Sequence, residues 1–312
     1  MMKHTLLLLI TMSERSLGKL HERFEVIHAP TAEERARLVL SEGQRVEVVL
    51  TNGVTGLRAE EIDAMPRLRL ACALGAGYET LAIDHARARG VALANGAGTN
   101  DDCVADHALA LMLATVRAIP QLDEACRQGL WRDDLPMRPQ LARKRLGILG
   151  LGIIGKKIAQ RGAAFDMPVG YHNRSQRSEV PHRYFDSVQA LAEWCDCLVI
   201  ATPGGASTRH LINAEVLKAL GPQGFLINIA RGSVVDTAAL AEALRNGQVA
   251  GAGLDVYESE PKPPAELLDL PNVVLTPHVA GWSPESMDAS LQCFLDNVEL
   301  HFAGQPLRTP IP

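Results

Sequence analysis

The stretch RLGILGLGIIGKKIAQRGAA, residues 145–164, narrows the choice of fold more than any other part of the chain. Residues 145–149 form a short apolar run that reads as a buried strand. Gly150, Gly152 and Gly155 follow at once, and a helical pattern continues from Lys156. A strand entering a helix through GxGxxG suits a dinucleotide. Gly150 makes the tight turn, Gly152 lets the backbone approach a pyrophosphate, and Gly155 lets the helix pack closely on the strand. The pyrophosphate then rests on backbone N–H groups at the helix N-terminus. A glycine-rich turn set by packing alone is the competing reading.

The rest of the chain repeats the same grammar. Short apolar runs at 6–10, 24–28, 46–50, 68–72 and 91–94 alternate with helical stretches such as 31–40. After a long helical pattern at 101–128, opened by TNDD, the alternation restarts at 145–149. It continues at 169–171, 197–201, 224–229, 251–256 and 273–276, and a final helix spans 284–302. This order predicts an α/β chain with two doubly wound parallel sheets, covered by helices on both faces. The expected division is 1–99 with 285–312 as one domain and 100–284 as the dinucleotide-binding domain. The last helix is expected to return to the first domain.

Composition agrees with two globular domains: 312 residues, 47% hydrophobic and 21% charged. A formal charge of -5 gives no reason to expect a nucleic-acid or membrane-surface partner. The N-terminal run MMKHTLLLLITM is short and lacks a small-residue cleavage site, so it reads as a buried first strand rather than a leader. Six cysteines without a framework read as reduced thiols of a cytoplasmic protein, and no metal site is expected.

About twenty residues past the glycine loop, the next strand ends in VGYHNRSQR, 169–177. An acid at this point would hold the adenosine ribose of NAD and repel a 2′-phosphate. The chain carries Asn173, Arg174, Ser175 and Arg177 instead. An uncharged Asn beside one or two guanidiniums suits the 2′-phosphate of NADP; a solvated basic loop is the alternative.

Three later strand ends carry polar residues: Arg231 in LINIARGSVVD, Asp255 with Glu258 and Glu260 in GLDVYESEP, and His278 in VVLTPHVAGW. Ligands of open parallel sheets collect at the carboxyl ends of strands. Reducing a 2-oxo acid requires a cation for the carboxylate and carbonyl, a proton donor for the developing alkoxide, and a group that keeps the donor protonated. Arg, His and Glu supply these.

With these segments, together with GAGYETLAID, GTNDDCVADHALALML and GAGLDVYESEPKPP, the chain resembles the D-isomer-specific 2-hydroxyacid dehydrogenases over essentially its whole length. Its nearest likeness is to the NADP-dependent glyoxylate/hydroxypyruvate and hydroxyphenylpyruvate reductases. The resemblance implies a Rossmann cofactor domain, a flavodoxin-like substrate domain and a cleft between them. It implies NADPH-dependent reduction of a small 2-oxo acid, with NADP(H) preferred over NAD(H), and a homodimer. Arg231 would bind the substrate carboxylate and carbonyl, and His278 would be the general acid. Glu260, directly before Pro261, would pair with His278; Glu258 would not. Asp255 would bond the nicotinamide carboxamide. Ile153 and Ile154, Thr202 and Pro203, Ile229 and Ala230, and Gly281 would line the cofactor, with Ile153 standing where many relatives carry a polar residue. Leu74, Ala76, Gly77 and Trp282 would meet the substrate, the 76–77 backbone offering N–H groups. His107 reads as a satisfied core residue, Asn100, Asp101 and Asp102 as helix caps, and Trp131 as an aromatic that in some relatives reaches the partner subunit. Phenylpyruvate, 2-ketogluconate or phosphoglycerate as substrate, and a non-enzymatic dinucleotide sensor, remain as alternatives.

Overall fold

The computed structural model describes residues 3–312. They divide into two compact units: residues up to Asn100 together with Trp282–Pro312, and Asp101–Gly281. The second changeover comes ahead of the last helix, so Trp282 belongs to the first unit.

The first unit contains, in chain order, β1 (His4–Leu8), α1 (Glu14–Arg23), β2 (Phe24–His28), α2 (Ala32–Glu42), β3 (Val48–Asn52), α3 (Ala59–Asp63), β4 (Leu70–Leu74), α4 (Ile83–Ala88) and β5 (Ala92–Asn95). All pairs are parallel, in the order β2-β1-β3-β4-β5. Side chains alternate across the sheet as the period of two demands. Leu7, Val49, Ala71 and Leu93 enter one core layer, and Leu6, Leu8, Val48, Leu50 and Leu70 enter the other. Both faces are buried, which is why these strands read as unbroken apolar runs. Each fully buried Leu or Ile contributes about 1.5–3 kcal/mol relative to exposure.

The C-terminal helix, Pro284–Phe302, packs Leu291, Phe294, Leu295 and Val298 into the second of these layers. Beyond it the chain lies along the free edge of β5, where the Asn95 N–H donates to Thr309 O and the Ile311 N–H to Leu93 O. The last residues thereby cover an otherwise open sheet edge.

The second unit begins with α5 (Asp101–Arg117) and α6 (Ile119–Arg127). The single helix expected over 101–128 is broken at Ala118, whose φ is 50°. The two pieces bend by 57°. Pro120 is the cause: in an unbroken helix its ring would clash with the Val116 carbonyl, whereas in the first turn of a new helix it is tolerated.

There follow β6 (Leu146–Leu149), α7 (Ile153–Ala163), β7 (Val169–His172), β8 (Arg183–Tyr184), α8 (Val188–Trp194), β9 (Cys197–Ile200), α9 (Ala214–Leu220), β10 (Phe225–Asn228), α10 (Thr237–Arg245), β11 (Gly251–Leu254) and β12 (Val273–Leu275). The order is β12-β11-β10-β9-β6-β7-β8, again parallel. The chain winds outward from β6 to β8 and then returns to β9 on the other side of β6. The switch point between β6 and β9 is where ligands of such sheets bind. The two-residue edge strand β8 has no apolar run to announce it. All six cysteines are free thiols, and no single helix among the described residues is long and apolar enough to cross a membrane.

One ion pair in the first unit is buried. Arg35 on α2 bonds both carboxylate oxygens of Glu61, and the two residues are 7% and 5% exposed. Arg35 also donates to the carbonyls of Thr55 and Gly56. Arg35→Met strands Glu61 beside Arg58 alone and is expected to cost about 3 kcal/mol. Chemical denaturation of the single variant and of Arg35→Met with Glu61→Leu checks this. The double variant should recover most of the loss.

Candidate active site

The three glycines of the loop after β6 are each fixed for a different reason. Gly150 has φ 99°, and a Cβ there would lie 2.7 Å from the Thr202 nitrogen, so the loops after β6 and β9 touch at the switch point. A Cβ on Gly155 would lie 2.2 Å from the Gly150 carbonyl oxygen, so only glycine allows α7 to start this close to β6. Gly152 has open space around it and caps α7 without any side-chain hydrogen bond. The first N–H groups of α7 therefore keep their donors for an anion, and the bare Gly152 backbone gives it room. These features fit the pyrophosphate of a dinucleotide. Ile153 is 60% exposed in the first turn of α7 and offers apolar contact but no bond.

Past β7, the Asn173 side-chain oxygen accepts the Leu151 N–H at 2.7 Å, joining the two loops. The loop needs only an acceptor here, which an aspartate would supply as well. Arg174 and Ser175 are exposed, and among the described residues neither side chain bonds the protein. Arg177 differs. Its backbone N–H donates to the buried Tyr171 hydroxyl at 2.7 Å, and its guanidinium lies 3.7 Å from Glu179. Arg177 is thus partly committed to the protein, and Arg174 is the open cation of the pair.

At the end of β10, the buried Asn228 accepts the Ala230 N–H and donates to the Arg231 carbonyl at 3.0 Å, folding the chain into the turn that presents Arg231. Ile229 and Ala230 are each 7% exposed and bury the root of this turn. Gly204 lies against the Arg231 stem, and Gly232 against the Tyr257 carbonyl. No larger residue would let the loops after β9, β10 and β11 approach so closely.

The loop after β11 brings up Glu260. One oxygen accepts the Tyr257 N–H at 2.8 Å, and the other faces His278 Nδ1 at 2.8 Å. Burial alone would push the Glu260 carboxyl up. The bonds from His278 and Tyr257, with the charges of His278 and Arg231, outweigh it and hold the group below its ordinary value. The charge of Arg231 is therefore felt at the Glu260–His278 pair. Glu258 is occupied elsewhere, by His210 at 2.7 Å and by the Thr237 N–H and hydroxyl at the start of α10.

His278 has φ 56°, a left-handed backbone that costs a non-glycine residue about 1–2 kcal/mol. Asp255 holds it there. The Asp255 carbonyl accepts the His278 N–H, and its carboxylate accepts Val279 N–H at 2.8 Å, Ala280 N–H at 2.9 Å and the Thr276 hydroxyl at 2.7 Å. Asp255 is 0% exposed and anchors the His278 loop. The buried Asp is cheap only because its oxygens are satisfied by these donors.

His107 on α5 is drawn into the same network, 2.9 Å from the Thr276 hydroxyl. Of the expected caps, Asp102 instead pairs with Lys157 and Arg161 on α7, while the Asn100 side-chain oxygen is buried without a partner. Thr202 and Pro203 flank Gly204 at the switch point, with the Pro203 carbonyl bonded by Thr208. Gly281 and Ile154 fall on the His278 loop and in the first turn of α7. Leu74, Ala76, Gly77 and Trp282 belong to the other unit. There Ala76 O accepts Asn95 Nδ2 at 2.8 Å, and Gly77 packs on Gly53 with no room for a Cβ on the latter. Trp282 is 72% exposed and Trp131 is 67% exposed. No cluster of three potential metal ligands occurs among the described residues. Asn228 and Thr276 escaped the sequence reading; a polar residue closing a buried run was the available signal for both.

Residues 109–280 match the profile of the D-isomer specific 2-hydroxyacid dehydrogenase NAD binding domain. The chain is 38% identical to the hydroxyphenylpyruvate reductase of Plectranthus scutellarioides, covering 98% of each chain. It is 40% identical to the 2-ketogluconate reductase of Gluconobacter oxydans, over 84% of this chain and 85% of the relative. A crystal structure of the NADPH-dependent glyoxylate/hydroxypyruvate reductase of Sinorhizobium meliloti, in complex with NADP and malonate, superposes with a TM-score of 0.92 at 38% identity. That match covers 99% of this chain and 97% of the other. The chain is a 2-hydroxyacid dehydrogenase, a 2-oxoacid reductase that belongs to the D-isomer-specific 2-hydroxyacid dehydrogenase family.

Proposed function

We propose that this enzyme reduces a small 2-oxo acid of the glyoxylate/hydroxypyruvate type with NADPH in preference to NADH, as a cytoplasmic homodimer. The observation that carries the cofactor preference is the exposed, unbonded Arg174 beside an uncharged Asn173. The Leu151 N–H would donate equally well to the carboxylate of an Asn173→Asp variant, so the loop geometry gives no reason to avoid an acid there. A 2′-phosphate does, because an aspartate would repel it and Arg174 attracts it. Names of similar proteins, a glyoxylate/hydroxypyruvate reductase and a hydroxyphenylpyruvate reductase among them, support the substrate class.

The nicotinamide, when bound, supplies the hydride. Gly152 and the first turn of α7 would hold the pyrophosphate, and Asn173, Arg174, Ser175 and Arg177 would border the ribose phosphate. Ile153, Ile154, Thr202, Pro203, Ile229, Ala230 and Gly281 line the remainder. Arg231 binds the substrate carboxylate and polarises the carbonyl. His278 gives its Nε2 proton to the oxygen as it becomes an alkoxide, while Glu260 at Nδ1 fixes the ring orientation. Leu74, Ala76, Gly77 and Trp282, in the first unit, are the substrate-binding residues that the family resemblance implies. Asp255 serves through the His278 loop.

Three measurements test this reading. Wild-type kcat/KM should be higher for NADPH than for NADH, and Asn173→Asp with Arg174→Ala should cost NADPH roughly 10–100-fold, the loss of one or two charge-assisted bonds. A wild type that prefers NADH contradicts it. His278→Ala should lower kcat by about 10²–10⁴, and Arg231→Ala should impair substrate binding and turnover while NADPH binding, read by fluorescence, is retained. Finally, Glu260 lies below its ordinary value of 4.5. The stability it contributes is full above that value and is lost as pH falls through the lowered one. Denaturation of Glu260→Gln across this acid window should lack that component. Reduction should slow in the variant, because Nδ1 loses the carboxylate that orients the ring. Wild-type kcat in Glu260→Gln would remove Glu260 from the mechanism.

A further inference from the structure

Proton counting in the network behind His278 fixes the tautomer of a residue outside the Arg231, Glu260 and His278 set. Asp255 accepts the Thr276 hydroxyl at 2.7 Å together with the Val279 and Ala280 N–H groups. Thr276 has one hydroxyl proton and has given it to Asp255. Its oxygen can therefore only accept from His107, whose Nε2 lies 2.9 Å away and 3.5 Å from Asp255 Oδ1. The Thr276 carbonyl is held independently by the Tyr257 hydroxyl. His107 thus donates through Nε2, and the chain runs His107 to Thr276 to Asp255, ending at the backbone of the loop that carries His278.

We propose that His107 is a positioning residue for proton transfer. Its Nε2–H orients the Thr276 hydroxyl toward Asp255, and Asp255 in turn maintains the left-handed backbone of His278 and the aim of its ring. The bond to Asp255 already directs this hydroxyl; the donor from α5 fills a lone pair of its oxygen and holds that direction. Without it, Thr276 can turn its proton away, Asp255 loses one of its donors, and a strained residue loses part of what holds it. The energetic lever is geometric, since displacements of about 1 Å at reacting groups cost on the order of 100-fold in rate. The proposal rests on His278 being the proton donor.

The test compares His107→Leu, His107→Gln, Thr276→Val and the pair His107→Leu with Thr276→Val, in the full-length enzyme with saturating NADPH. Gln places an amide N–H near the position of Nε2. His107→Leu and Thr276→Val should each lower kcat about tenfold or more, with the KM for NADPH little changed. Gln should restore most of the rate, and the double variant should be no worse than the worse single one, because both act through Asp255. Wild-type kcat in His107→Leu, failure of Gln to recover the loss, or independent addition of the two losses would each overturn the proposal. In the wild-type protein, 15N NMR of the histidine rings should find His107 protonated at Nε2; a neutral ring with the proton on Nδ1 overturns it whatever the variants do. His278→Ala with near-normal kcat would instead sink the reading of His278 and leave the NMR result standing.

Discussion

The buried carboxylate of Asp255 is the interaction on which the catalytic end of the second unit depends. A carboxylate with no exposure is costly unless its lone pairs are filled, and here two backbone N–H groups and a hydroxyl fill them. All three donors come from the segment 276–280. Satisfying Asp255 therefore shapes the loop, and the loop shape forces His278 into a left-handed backbone. The same ring then meets Glu260, whose other oxygen is fixed by the Tyr257 N–H. The polar residues are thus arranged by burial, before any ligand arrives, so little reorganisation is left for the reaction itself.

The cofactor side depends on the opposite device, the removal of side chains. Gly150 lets the loops after β6 and β9 touch, Gly155 lets α7 begin against β6, and Gly152 leaves the helix end bare. Gly204 and Gly232 continue this toward the reacting end, clearing space beside Arg231 and Tyr257. The glycine loop thus offers backbone dipoles, while Arg231, Glu260 and His278 stand at later strand ends of the same sheet.

Much of this was legible in the sequence because it follows from local rules. Apolar runs of three to six residues marked the strands of both sheets other than β8, since parallel strands are buried on both faces. The glycine spacing marked the turn between β6 and α7, and the polar residues of the later strand ends included Glu260 and His278, which the structure brings within 2.8 Å. What escaped has physical reasons. The break at Ala118 depends on where Pro120 falls within a turn, and an apolar pattern does not show it. The strand at 183–184 is a bare edge pairing. The satisfaction of Asp255 by Val279 and Ala280 is a tertiary fact 24 and 25 residues away. His107 reads as a satisfied residue of α5 and is hydrogen-bonded in the structure, but its partner Thr276 lies 169 residues on and could not be named.

The central claim is that Arg231, Glu260 and His278 form a working site for reduction of a 2-oxo acid. The most direct measurement is steady-state oxidation of NADPH, and separately NADH, with glyoxylate, hydroxypyruvate, phenylpyruvate and 2-ketogluconate. The account predicts turnover of at least one of these acids, with formation of the matching 2-hydroxy acid. A folded protein that binds the dinucleotide and turns over none of them with either cofactor would contradict it.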